Sequence, residues 1–209
     1  MQLTASGYKI PDSGASSVLF SHESRMLKKY VDRLARCERP EVLDLGPVCG
    51  NNISFFLNRI AKLHVCDVFS HLPQEKKQEK KQEKKNDPDA EKYTSLLNYK
   101  EHSFDGINLW DVPDHLGSRT LALLIPHLHS LLKPSGMLMM IASTTSGVQP
   151  FPLYFVIRED CAVVLQTKTE HRFSYYYRTN RDIEHSMKPF RQIHSFICTN
   201  GVREFLFKP

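Results

Sequence analysis

The chain has 209 residues, 41% of them hydrophobic and 24% charged, a balance that excludes fibrous and wholly disordered classes and suits about one globular domain. Its formal charge is +5, but Gln74–Lys85 holds six Lys against three Glu and leaves only +2 for everything else, so the charge does not call for a nucleic-acid partner. Five scattered cysteines, Cys37, Cys49, Cys66, Cys161 and Cys198, form no C-x-x-C pair, which argues against a disulfide scaffold or a structural zinc site.

No run approaches the ~20 apolar residues of a membrane span, and MQLTASGYKIPDSG carries no apolar signal-peptide core. These features predict a soluble cytoplasmic protein of one domain, residues 1–209. Residues 1–15 read as a Gly/Ser/Pro arm. Met26, Leu27, Tyr30, Val31 and Leu34 repeat at helical spacing, predicting one amphipathic helix over Ser21–Cys37, so that 1–37 is an arm and a helix. EVLDLG (41–46), NNISFFLNRIA (51–61) and KLHVCDVF (62–69) then read as strand, Asn-capped helix and strand, a first β-α-β unit.

The QEKK repeats stack Lys over Lys and Glu over Glu at i, i+4, which opposes a helix; residues 74–90 are expected to be a mobile charged insertion. FDGINLWDV (104–112) is a buried-strand pattern. SRTLALLIPHLHSLL (118–132) is a helical one with Pro126 as a kink, and KPSG turns the chain into the strand GMLMMIAS (136–143). Alternating strands and helices predict an α/β, Rossmann-like, mainly parallel sheet with helices on both faces. Residues 153–178 are β-rich and predict an inserted β flap. Asn180 is placed to cap RDIEHSMK, and Asn200-Gly201 predicts an antiparallel C-terminal hairpin.

The turn VLDLGPVCGNN lies between a predicted strand and a predicted helix, where glycines admit a ligand to the backbone and the helix offers free N–H groups. It lacks the third glycine of the dinucleotide fingerprint, and Asp44 two residues ahead of Gly46 suits a cationic ligand better than a pyrophosphate. These residues resemble the first motif of the class I S-adenosylmethionine-dependent methyltransferases, D-x-G-x-G-x-G, here Asp44, Leu45, Gly46, Pro47, Val48, Cys49, Gly50 with Val48 for the middle glycine. Asp67, at the end of the next predicted strand, is similar to the family's ribose-binding acidic residue. FDGINLWDVPDHL and LHSLLKPSGMLMMI look like its fourth strand and the turn before its fifth, with Ser135 for a glycine.

The resemblance implies S-adenosylmethionine as cofactor, with Asp44, Gly46, Gly50, Asn51, Asp67, Val68 and Trp110 around it, and Val68 and Phe69 packed on adenine. It also implies methyl transfer to an acceptor, for which we expect a small molecule. Asp111, Asp114 and His115 form a D-x-x-D-H cluster at the carboxyl end of a parallel strand, the place of ligands in α/β sheets, and are the candidate base and substrate contacts. The remaining histidines are dispersed and predict no metal site. Bland readings stay open: Asp44 as a turn residue, Asp67 as a loop carboxylate, Trp110 as core, and Tyr175–Tyr177 with Arg172 and Arg178 as a strand surface. A methyltransferase-like scaffold without catalysis is the rival to an enzyme, motivated by Val48 and Ser135. Oligomeric state and acceptor identity are not legible.

Overall fold

The computed structural model describes residues 17–72, 90–143, 153–167, 173–198 and 201–209; the expected arm over 1–15 and the QEKK tract lie outside them. Two sheets are present among the described residues. The larger has the order β3-β2-β4-β5-β9-β8, built from β2 (Glu41–Asp44), β3 (Lys62–Val65), β4 (Phe104–Trp110), β5 (Leu132–Ser143), β8 (Arg191–Ile197) and β9 (Val202–Lys208). β3, β2, β4 and β5 run parallel, whereas β9 is antiparallel to β5 and to β8. The expected C-terminal hairpin is therefore present, and the strand order reverses direction between β2 and β4.

The smaller sheet, β1-β7-β6, is antiparallel. Its β6 (Leu153–Ile157) and β7 (Ala162–Thr167) are the predicted flap strands, but β1 (Ser17–Glu23) replaces the start of the predicted first helix. Ser24 sets that boundary: its Oγ accepts from the Leu27 N–H at 2.9 Å, so α1 starts at Arg25 and runs to Leu34. Of the predicted flap, residues 168–172 lie outside the described ones, and Phe173–Arg178 is an irregular strap and not a strand. KPSG also differs from expectation, because it lies inside β5 at a register shift opposite Phe104/Gly106.

Helices α1 and α2 (Gly50–Leu57) pack on one face of the larger sheet, together with the small sheet, through Tyr30, Leu34, Phe55, Phe56, Phe155 and Leu165. The opposite face is covered by α3 (Ala90–Leu96), α4 (Val112–His115), α5 (Ser118–Leu131) and α6 (Asn180–Ser186) through Tyr93, Leu121, Leu124, Leu128 and Ile183. Helix α3 falls where the charged insertion was expected to end. The central strand β4 is buried along its whole length, and Gly106 lies so close to α1 that an added Cβ would stand 2.1 Å from the Tyr30 hydroxyl.

Candidate active site

Parallel pairing brings four strand ends to one edge. Asp44 ends β2 in register with Asn108 of β4 and Val65 of β3, so Asp67, Asp44, Trp110 and Asp111 gather around the point where strand order reverses, the ligand position of open α/β sheets. Asp44 is buried and accepts from the Gly46 N–H at 2.9 Å, from Trp110 Nε1–H at 2.7 Å and from Asn108 Nδ2–H at 3.3 Å. Burial raises its pKa against the lowering effect of those three donors.

Trp110 closes the turn. Its φ of 50° lies in the left-handed region, its ring stacks on Phe155 at 5.4 Å and 7°, and a Cβ on Gly46 would stand 2.5 Å from its Cδ1. Sequence reasoning placed Trp110 and Asp44 together at the site but not against each other; two residues 66 apart give no pattern that would show it. Gly50 has open space at its missing side chain and starts α2, with exposed Asn51 after it. The cap falls at Cys49, whose side chain makes no capping bond. Asn52, the other expected cap, is buried and ties the helix to β6 instead, donating to Phe155 O at 2.7 Å and accepting from Ile157 N at 2.8 Å.

Asp67 is half-buried, and its Oδ1 accepts from Ser70 N at 3.1 Å, capping a 3₁₀ turn over Val68–His71. Val68 and Phe69, the pair expected against adenine, are both buried in the core of the larger sheet. An apolar pair after a strand end serves the core as well as it serves a ring, and spacing alone does not separate the two.

The D-x-x-D-H cluster is assembled but enclosed. Asp111 precedes the one-turn α4, and His115 Nε2 lies 3.3 Å from its Oδ2, while His115 Nδ1 lies 3.1 Å from Ser174 O. Asp114 points elsewhere, accepting from Ser143 N at 3.0 Å at the end of β5. Phe69, Phe173 and Tyr175 surround the His115 ring at 5.3, 6.3 and 5.9 Å. Burial alone would lower the His115 pKa, but the hydrogen bond and charge of Asp111 override it and raise the value. Burial, with the charge of Asp111, pushes Asp114 up to about 7 against the Ser143 N–H, His115 and Arg178.

The strap that covers the cluster is fixed by two buried arginines: Arg178, which sequence reasoning weighed as a substrate contact or a strand surface, and Arg203, which it omitted. Arg178 donates to the carbonyls of Pro113, Tyr176 and Leu116, and Arg203 donates to Asn180 Oδ1 (2.6 Å), Ser143 O (2.5 Å) and Arg178 O (2.6 Å). Tyr176 N–H adds a bond to Asp114 O at 2.7 Å. An arginine in a β-rich, tyrosine-rich stretch reads as solvated because its partners are carbonyls, which leave no mark in a sequence.

The model of a family described as "methyltransferase domain" matches residues 19–195. Solved structures with the same fold include an S-adenosylmethionine-dependent methyltransferase from Clostridium acetobutylicum, 14% identical over 87% of this chain and 91% of that one, with a TM-score of 0.55. Another is the 1,6-didemethyltoxoflavin-N1-methyltransferase of Burkholderia thailandensis, solved with 1,6-didemethyltoxoflavin and S-adenosylhomocysteine: 16% identical, 88% and 78% covered, TM-score 0.52. A methyltransferase from Methanosarcina mazei is 12% identical over 88% and 97%, with a TM-score of 0.51. No curated protein sequence matches. With the family model spanning the parallel sheet, the strand-end acidic residues and the glycine turn, the chain belongs to the class I S-adenosylmethionine-dependent methyltransferases.

Proposed function

We propose that the edge formed by β3, β2 and β4 holds S-adenosylmethionine and that the chain transfers its methyl group to a small-molecule acceptor. The observation that carries this reading is that Asp67, Asp44 and Asp111 stand at or just beyond the carboxyl ends of three neighbouring parallel strands, on either side of the strand-order reversal. The residues fit the cofactor unevenly. At the ribose end Asp67 caps through Oδ1, and a carboxylate oxygen is suited to a diol; Gly50 leaves room for close approach. At the methionine end Asp44 and Gly46 are closed by Trp110, so the indole must leave that position when the cofactor binds.

When bound, the cofactor supplies a methyl group already activated on a sulfonium. What remains for the protein is orientation, exclusion of water and removal of one proton. We assign that proton to the Asp111 carboxylate, beside which the His115 ring is held between Asp111 and Ser174 O, with Phe69, Phe173 and Tyr175 packed around it. Asp114, spent on Ser143 N, acts as a positioning residue. The modest charge outside the QEKK tract supports a small acceptor over a nucleic acid.

Calorimetric titration with S-adenosylhomocysteine tests the reading. Wild type should bind, and Asp67→Ala should weaken binding by ~1.5 to 3 kcal/mol, the range for hydrogen bonds to a charged group, with the far-UV spectrum unchanged. No heat from wild type would overturn the cofactor reading; an unchanged Kd would remove Asp67 from the site. The closure of Asp44 by Trp110 favours a second reading, a binding module without catalysis. Binding with no methyl transfer to any acceptor tried, single-turnover assays included, is the result that would favour it.

A further inference from the structure

Away from the strand-end edge, β1, the end of β8 and β9 bring together three groups that no sequence motif joins. His22 Nε2 stands 2.8 Å from Glu204 Oε1, and the His22 nitrogen, the Cys198 sulfur and a Glu204 oxygen lie within 4.8 Å of one another. Glu204 has no solvent exposure, Cys198 is buried and His22 is half-buried. The second Glu204 oxygen faces the amino terminus of α1, 3.4 Å from Met26 N, which fixes the plane of the carboxylate.

We propose that His22, Cys198 and Glu204 form a site for a zinc-class divalent metal ion. One imidazole nitrogen, one thiolate and one carboxylate make a borderline-soft donor set that suits Zn(II) or Co(II), whereas Mg(II) and Ca(II) take oxygen shells. Three protein donors leave a fourth tetrahedral position for water. The buried charge also balances. A divalent ion, one thiolate, one carboxylate and a neutral imidazole sum to zero, and the thiol gives up its proton as the ion enters. Without a cation, burial and the Glu204 charge push the Cys198 thiol up to about 12, so the sulfur keeps its proton until a metal displaces it. The ion would join the small sheet, through β1, to the β8–β9 hairpin of the large one. It does not depend on the methyl-transfer reading.

The test uses the full chain, stripped with a chelator and titrated with Co(II) and then Zn(II). One equivalent of Co(II) should bind and give the intense near-ultraviolet thiolate-to-cobalt charge-transfer band, which Zn(II) should abolish by displacement. Cys198→Ser keeps the other four cysteines and should lose the band; Glu204→Gln should weaken Zn(II) by more than the roughly 10- to 100-fold that loss of an outer partner costs. Zn(II) should raise the melting temperature of wild type and not of Cys198→Ser. Absence of the band from folded wild type would overturn the site. Persistence of the band in Cys198→Ser would do the same by assigning it to another thiol. Either result would leave the trio as a buried histidine–carboxylate pair beside an inert thiol.

Discussion

Trp110 carries a φ of 50°, a region that costs a bulky residue on the order of 1–3 kcal/mol and persists only where neighbours impose it. Here the neighbours are the Asp44 carboxylate and the Phe155 ring. It is the only tryptophan in the chain, so its emission reports on that position alone. S-adenosylhomocysteine should red-shift and change the intensity of the emission as the indole leaves its stack. Heat of binding with an unaltered spectrum would show that the cofactor is accommodated with the indole in place. Asp114 offers a second test at this scale. Its carboxyl is raised from 3.8 to about 7 in the fold, so the folded state binds the proton more tightly than the unfolded one. The stabilisation is complete below about pH 4 and is lost as pH rises through about 7. Asp114→Asn retains an oxygen for Ser143 N–H and should flatten the pH dependence of the melting temperature across that window. Parallel curves for the two proteins would show that Asp114 is ionised throughout.

Among the elements, β4 is tightly constrained. Gly106 faces the Tyr30 ring, with the hydroxyl and Cζ 2.1 and 2.7 Å from the position a Cβ would take, so Gly106→Ala must push α1 off the sheet. Overpacking of a core typically costs ~1–3 kcal/mol, and a denaturant titration should show a loss of that size; an unchanged midpoint would mean that α1 yields freely. The elements also show what the sequence could carry. Strands β2, β4 and β5 were legible because burial makes them short apolar runs, and α5 because its apolar positions repeat through Pro126. Strand β1 was not, since SVLFSHE abuts a strong helical period and takes its partner from β7, far along the chain. The strap was misread for a related reason: FSYYYRT (173–179) has strand propensity, but its backbone is held by α4 and Arg178 rather than by a ladder. The strand-end carboxylates were found because β-α-β geometry fixes where a strand end lies. The closure of Asp44 by Trp110, the core placement of Val68 and the His22–Cys198–Glu204 trio all depend on side-chain direction across distant segments, which spacing does not encode.

For the whole molecule, the two sheets differ in how they can assemble. In the large sheet β2, β3 and β4 come from one stretch of chain, and β8 and β9 form a local hairpin. The small sheet is different, because Ser17 pairs with Thr167 across 150 residues. At ribosomal rates of roughly 5–20 residues per second, β1 waits about 8 to 30 s for its partner to be made. During that interval β1 has no ladder, and α1 can dock on the large sheet before the strand ahead of it is seated. When β7 arrives with β6 as a hairpin, it presents an open edge until β1 closes it. The small sheet is therefore closed by the return of the earliest described strand, and a nascent chain stalled short of Ala162 is one whose amino-terminal strand is still available to any other edge it meets.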